Sequence, residues 1–231
     1  MTKNIDDILF LAQARLSSER LPNKMIKPFA GTSLVEITCE KVTRSKVIPR
    51  DNFYLSAYDK EIKDIATKYG LNIYHRSEKS AKSEGPMQEV MEYHDKLPYK
   101  YVVVISACHP LLTIETIDSF VEEYVKSEHE GMFAVVGKNN YFWNEEGELI
   151  TEWPDSDVLD TKKVGVTYEA AHCLYAGRMD KIKEGIWMGE APFQKNKPAI
   201  FPVPEQEIFD IDYGWEFDVA EALYKERNNM G

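Results

Sequence analysis

The chain has 231 residues, 43% of them hydrophobic and 29% charged, with a formal net charge of −11. That length suits one globular domain with its own core. The negative charge argues against a non-specific binder of nucleic acid or of a membrane surface. Cys39, Cys108 and Cys173 stand far apart and outside any CxxC pair, so neither a disulfide framework nor a zinc knuckle is indicated, and a reducing cytoplasm is expected. MTKNIDDILF lacks the long apolar stretch of a signal peptide, and no run approaches the roughly 20 apolar residues of a membrane span.

Taken in chain order, the apolar run Ile8 to Ala12 predicts a buried strand. It empties into a polar segment holding Arg15, Arg20 and Lys24, which reads either as a cradle for a polyphosphate or as an ordinary loop with solvated charges. Ser33 to Arg44 opens with Ser33 and Glu36 at capping-box spacing and predicts a helix. Phe53 to Ala57 is a short strand. Asp59 is placed to cap a helix over Lys60 to Tyr69 that Gly70 ends, and Leu71 to His75 is a third strand. A polar loop from Arg76 to Pro86 precedes a helix expected over Met87 to Asp95.

Tyr101 to Ile105 (YVVVI) is the most β-branched run and predicts a central strand buried on both faces. It ends in Ser106-Ala107-Cys108-His109-Pro110; a helix over Ile114 to Ser127 and a strand over Met132 to Val136 follow. This alternation predicts a parallel sheet covered by helices on both sides. Ligands of such sheets bind outside the carboxyl ends of the strands, where the loops at 13–27, 76–86 and 106–112 begin.

From Lys138 the rhythm changes. YFWNEEGELI predicts a hairpin turning at Glu146-Gly147. Residues 151–170, with Trp153-Pro154, are irregular and polar, a length that suggests a functional segment or one pinned by a partner subunit. Ala171 to Ala176 resumes a strand, Arg178 to Glu184 a short helix, and Ala199 to Val203 a strand. Trp215 to Arg227 closes the chain as a helix with Phe217, Ala220, Leu223 and Tyr224 on one face.

Before that last helix stands Ile208-Phe209-Asp210-Ile211-Asp212. Carboxylates at i and i+2 of an extended segment point to one side, where they repel unless a hard cation such as Mg²⁺ lies between them. The same pair on a solvated edge would do nothing. A nucleoside triphosphate needs cations on its phosphates and a metal to neutralise them, so the cationic loop and the acidic pair suit each other. No G-x-x-x-x-G-K-[ST] is present, which excludes a P-loop site.

AQARLSSERLPNK resembles the N-terminal signature of the bacterial sugar cytidylyltransferases: Arg15, Ser18, then Leu21-Pro22 and Lys24 nine residues after the arginine. That group includes the CMP-sialic acid (acylneuraminate) synthetases, the legionaminate and pseudaminate enzymes and the CMP-KDO synthetases, and Arg20-Leu21-Pro22 looks more like the KDO and spore-coat branches. HRSEKSAKSEG is similar to the R-x-x-E loop of the sialate enzymes, Pro110-Leu111 to their turn after the central strand, and FPVPEQEIFDIDYGWEFDVAEAL to their C-terminal segment. These matches run in order along nearly the whole chain.

The resemblance implies a three-layer, Rossmann-like α/β fold of the nucleotide-diphospho-sugar transferase type, with a mixed, mostly parallel sheet of about seven strands. It further implies a β-rich arm over 138–180 that joins a homodimer. Carried over by position, Arg15 and Lys24 would hold the CTP phosphates with Ser18 and Arg20 beside them. Arg76 and Ser83 would approach the cytidine, Asp210 and Asp212 would coordinate Mg²⁺, and Tyr175 would line the sugar pocket. His109 is a further candidate contact, and the acceptor would be an acidic nonulosonate sugar.

Departures from the pattern stand at Ser106-Ala107-Cys108-His109, where the KDO branch has a metal-binding Asp at the position of Cys108. Others are Glu19, Met25, and Ala171-His172 in place of Asn-Gly. Cys108 reads as a small apolar residue rather than a nucleophile, and His172 as a strand residue that could read an unusual substrate. The rival readings are a different acid or phosphorylated acceptor, a metal-dependent glycosyltransferase, a nucleotidyltransferase using another nucleotide, and a non-catalytic relative.

Overall fold

A computed structural model describes residues 2–83, 85–152, 160–186 and 198–230. The expected Trp153-Pro154 stretch lies outside them. The first half alternates strand and helix as anticipated: β1 (Ile8–Ala14), α1 (Leu34–Arg44), β2 (Phe53–Ala57), α2 (Lys60–Lys68) and β3 (Asn72–His75). Then come α3 (Glu78–Lys82), α4 (Met87–Val90), β4 (Tyr101–Ile105), α5 (Ile114–Lys126) and β5 (Met132–Lys138). β6 (Thr167–Arg178), α6 (Met179–Lys183), β7 (Ala199–Pro202) and α7 (Gly214–Arg227) complete the described elements. The seven strands form one sheet in the order β3-β2-β1-β4-β6-β5-β7, in which β6 alone runs against its neighbours.

The period of two along β1 builds both layers. Ile8, Phe10, Ala12 and Ala14 join a large cluster with Leu34, Val35 and Ile37 of α1, Phe120 and Val121 of α5 and Phe217 of α7. Leu9 and Leu11 point the other way, onto Tyr74, Tyr93, Met179 and Ile182. A strand buried on both faces reads as a continuous apolar run rather than an alternation, which is why ILFLA announced it. Ser33 caps α1 by accepting from the Glu36 N–H at 3.4 Å, and Gly70 at φ +63° ends the turn after α2.

Where sequence and structure differ, tertiary contacts explain the difference. Asp59 precedes α2 but its side chain makes no capping bond; the carboxylate accepts the Leu16 N–H at 3.0 Å instead, tying the helix to the loop after β1. The polar stretch 76–86 holds α3, capped by Ser77, whose own N–H and hydroxyl donate to the Glu92 carboxylate. The helix expected over 87–95 stops at Val90. Met91 leaves helical geometry at φ −103°, ψ +40°, and a 3₁₀ turn then carries Tyr93 into the second cluster, edge-on to Tyr74. On α7 Phe217 and Ala220 are buried while Leu223 is 41% exposed, so the apolar face is narrower than its spacing suggested.

The segment 138–180 divides. Thr167–Arg178 belong to the central sheet as β6, longer than the expected 171–176 because they pair along both β4 and β5. Residues 139–152 stand apart, with the expected tight turn closed by the Gly147 N–H on the Asn144 carbonyl and an isolated Trp143–Leu149 bridge. Gly147 sits at φ +80°, a conformation that favours glycine. No helix among the described residues is long and apolar enough to cross a membrane.

Candidate functional site

Strand order reverses at β1, whose neighbours β2 and β4 lie on opposite sides. The crevice at the carboxyl ends of these strands is where open α/β sheets hold ligands. The loop after β1 is folded back over it. The Asn23 N–H donates to the Leu16 carbonyl at 3.1 Å, and Asn23 itself lies at φ +60°, a left-handed position that asparagine tolerates better than most residues. That reversal turns Lys24, 6% exposed, inward. A cleft of about 310 Å³ results, lined by Gln13, Arg15, Ser18, Arg20, Lys24, Arg76, Ser83, Val90, Cys108 and Asp212 among others.

Seven of the ten residues singled out from the sequence thus meet on one surface, drawn from three separate stretches of chain. Arg15 donates to the Ala81 carbonyl at 3.2 Å, which joins the first loop to α3. Arg76 is buried, and its Nε and one terminal nitrogen are taken by the Ser80 hydroxyl at 2.9 Å and the Ser80 carbonyl at 2.8 Å. It therefore braces the wall as well as lining it. Burial, with Arg15 nearby, lowers the Arg76 pKa.

The acidic pair enters from the opposite wall. The Ile211 N–H donates to the Cys108 carbonyl at 3.2 Å, and the Glu216 carboxylate accepts the Asp212 and Tyr213 N–H groups at 2.6 and 2.8 Å. With its backbone fixed, the Asp212 carboxylate receives Lys24 Nζ at 3.1 Å on one oxygen and Arg20 at 2.8 Å on the other. Lys24 Nζ also donates to the Ile211 carbonyl at 2.5 Å. Burial opposes the Lys24 charge, yet Cys108 and Asp212 outweigh it and raise its pKa. Desolvation and then Asp212 raise that of Asp210. Two hard carboxylate oxygen donors suit Mg²⁺, which takes one or two protein carboxylates and completes its shell with phosphate and water. Among the described residues no group of three or more potential ligands gathers anywhere, so a bound cation would need such outside ligands here.

Three expected contacts do not line the cleft. Asp210 stands beside it, open to solvent on one side and enclosed by neighbouring protein on the other. Tyr175 lies on β6 opposite Val104, its hydroxyl bonded to Nδ1 of His172, which stands at φ +54° where the β5–β6 register shifts. His109 is 2% exposed and buried away from the cleft surface, where Nδ1 meets the Ser106 hydroxyl at 2.9 Å. Lys41 Nζ, beneath it, donates to the His109 and Pro110 carbonyls at 3.1 and 2.8 Å. Lys41, Gln13, Val90 and the Asp59 tie escaped sequence reasoning, because no local pattern shows which carbonyl or N–H a distant side chain will meet.

Burial lowers the His109 pKa from 6.5 to about 4. The unfolded chain then binds the extra proton first, so this contribution to stability is complete above pH 6.5 and is lost as pH falls through 4. The difference amounts to about 3 kcal/mol. Denaturant titrations between pH 7 and pH 4 should show wild type losing that much more than His109→Gln; parallel curves would refute the buried neutral ring.

A larger cavity of about 590 Å³ is lined by Leu111, Glu205, Ile208, Phe209, Leu223, Glu226 and Arg227 among others. Its apolar wall and two glutamates do not suit a polyphosphate, so the smaller cationic cleft is the candidate site.

A family model described as cytidylyltransferase matches residues 9–228. The chain is 24% identical to a pseudaminic acid cytidylyltransferase of Campylobacter jejuni over 94% of its own length and 96% of that protein. It is 31% identical to a 3-deoxy-manno-octulosonate cytidylyltransferase of Francisella tularensis over 48% and 44% of the two chains. Among solved structures, a CMP:2-keto-3-deoxy-manno-octonic acid synthetase complexed with CTP superposes with a TM-score of 0.70 at 12% identity, over 95% of this chain and 99% of that one. A 4-diphosphocytidyl-2C-methyl-D-erythritol synthase from Anaerococcus prevotii gives 0.68 at 16% identity, over 96% and 98%. With the family model covering nearly the whole chain and the fold in agreement, this protein belongs to the cytidylyltransferase family and is a nucleotidyltransferase.

Proposed function

We propose that the protein transfers CMP from CTP to an acidic sugar, a nonulosonate of the sialic, legionaminic or pseudaminic type, releasing pyrophosphate for surface-glycan synthesis in the cytoplasm. The observation that carries this reading is the convergence of Arg15, Arg20, Lys24 and Arg76 with Asp212 in one cleft at the switch point of the sheet. A triphosphate brings enough negative charge to satisfy such a cluster. The full-length similarity to a pseudaminic acid cytidylyltransferase supports the acceptor class.

In this reading the anomeric hydroxyl of the sugar attacks the α-phosphorus in line. The bond to the β-phosphate breaks, pyrophosphate leaves, and the hydroxyl proton passes to water. Arg15 and Lys24 bind the β- and γ-phosphates and stabilise the charge that grows on the leaving group. Ser18 and Arg20 fix the loop around them, and Arg76 and Ser83 form the wall beside the cytidine. Asp210 and Asp212 would hold Mg²⁺, which when bound lowers the negative charge on the phosphates. Tyr175, its hydroxyl bonded to His172, lines the acceptor pocket, with His109 a further contact.

Trp143 at 56%, Ile150 at 66% and Tyr168 at 46% exposed put apolar surface on or beside the 138–180 arm, which supports a homodimer joined there. Light scattering of the sample used for assay is expected to give twice the 26.6 kDa chain mass.

The test crosses four nucleoside triphosphates with a panel of acidic sugars, KDO and phosphorylated acceptors, reading pyrophosphate release with Mg²⁺. Release with CTP and one nonulosonate is expected. Release with KDO or a phosphorylated acceptor alone would replace the acceptor assignment. Silence throughout, with no thermal stabilisation by CTP, would point to a non-catalytic relative.

A further inference from the structure

Asp212 spends both carboxylate oxygens on Lys24, which the nucleotide reading assigns to phosphate, and on Arg20 in the same loop. Lys24 Nζ lies 3.1 Å from one oxygen and an Arg20 terminal nitrogen 2.8 Å from the other. The carboxylate therefore occupies, in the resting protein, the role that a phosphate oxygen pair would take. We propose that Asp212 is the resting counter-ion of Lys24 and Arg20, so that triphosphate binds well only when a divalent cation enters with it and draws the carboxylate away. This inference rests on the cleft being a triphosphate site.

The surrounding contacts make the exchange a local one. The Asp212 and Tyr213 N–H groups are held by Glu216, and the Ile211 N–H by the Cys108 carbonyl, so the backbone stays while the side chain changes partner. Lys24 keeps the Ile211 carbonyl at 2.5 Å when the carboxylate leaves, and so remains aimed across the cleft. Arg20 is held by Tyr213 as well, its guanidinium 5.4 Å from the ring centroid. Without a divalent cation, phosphate must compete with Asp212 for both donors and then lie beside a displaced, unpaired carboxylate. With one, every charge finds an opposite. Two ligands that each relieve the other's penalty bind cooperatively, and the coupling is reciprocal.

This predicts an unusual response to a single change. Asp212→Asn removes the competitor while preserving side-chain shape, so CTP measured by calorimetry in excess EDTA should bind about tenfold more tightly than to wild type. Asp210→Asn is the control. It removes the same charge two residues away without freeing Lys24 or Arg20, and should tighten metal-free binding less than about twofold. Conversely, Mg²⁺ should strengthen CTP binding to wild type and no longer do so for Asp212→Asn.

Equal or weaker metal-free binding by Asp212→Asn, in a variant that still melts cooperatively, would overturn the inference. So would an equal gain from Asp210→Asn, since general charge removal would then be the cause. If Asp212→Asn fails to fold, Arg20→Met decides: freed of one partner, wild-type Asp212 should leave metal-free binding weak and the Mg²⁺ enhancement smaller, and an unchanged enhancement would refute the proposal. Wild type that binds no CTP even with Mg²⁺ would sink the nucleotide reading and this inference together. Strong Mg²⁺-dependent binding without the Asp212→Asn gain would sink the inference alone.

Discussion

Asp212→Ala is expected to lower kcat for pyrophosphate release by about 10³-fold, corresponding to roughly 4 kcal/mol of transition-state stabilisation. The protein should still unfold in one cooperative step. Asp212 is a quarter exposed and one of its two cations, Arg20, is half exposed, so the ion pairs add little to stability. What the carboxylate supplies is a hard oxygen donor opposite the cationic loop, and alanine offers none. Circular dichroism melts and a Mg²⁺ titration of the assay check the two halves separately. Near-normal activity with an unchanged Mg²⁺ requirement would refute the metal assignment of the acidic pair.

The second large effect concerns the opposite wall. Lys24→Ala should raise the dissociation constant for Mg·CTP by about 30-fold, the scale of one charge-assisted hydrogen bond, while CMP binding changes less than about threefold. Lys24 is almost fully enclosed, and its ammonium is shared between the Ile211 carbonyl and Asp212. Its stem follows the loop that Asn23 turns inward, and the proposed reading places its charge with the phosphates rather than with the base. Competition binding against a fluorescent nucleotide reads both constants. Equal losses for CTP and CMP would place Lys24 on the α-phosphate or outside the phosphate site.

The two variants together test whether the cleft works as a unit. Lys24→Ala leaves Asp212 with only the exposed Arg20 as counter-ion, and Asp212→Ala leaves Lys24 on a carbonyl. Residues sharing one charge network should show effects that do not add, and the double variant should lose less than the sum of the singles.

Much of the architecture was legible in the sequence for a plain reason. ILFLA and YVVVI are apolar on every residue, and only a strand covered on both faces can hide such a run. Ser33 with Glu36 and Gly70 after α2 mark helix ends through local backbone geometry, so they too are written locally. The order of the motifs, with a cationic loop after the first strand and an acidic pair before the last helix, announced a nucleotide-handling protein.

The tertiary structure decided what depends on distant partners. Asp59 had the spacing of a helix cap, but the Leu16 N–H, 43 residues earlier, claimed its carboxylate and so pinned the functional loop. His109, placed by sequence among the binding residues, is buried, with Lys41 anchoring its carbonyl and Ser106 taking its ring nitrogen. Arg76 was expected to face substrate and does line the cleft, yet Ser80 holds much of its guanidinium. The one antiparallel strand among the described residues, β6, was equally hidden: its direction is fixed by pairing with β4 and β5, and no alternation within 167–178 records it. The sequence by itself determined which segments are buried and which charges exist, because burial pattern and local capping are properties of neighbours along the chain. Only the fold decided that Lys24 and Arg20 would close on Asp212, 188 and 192 residues away in sequence, because that pairing needs the whole sheet between them.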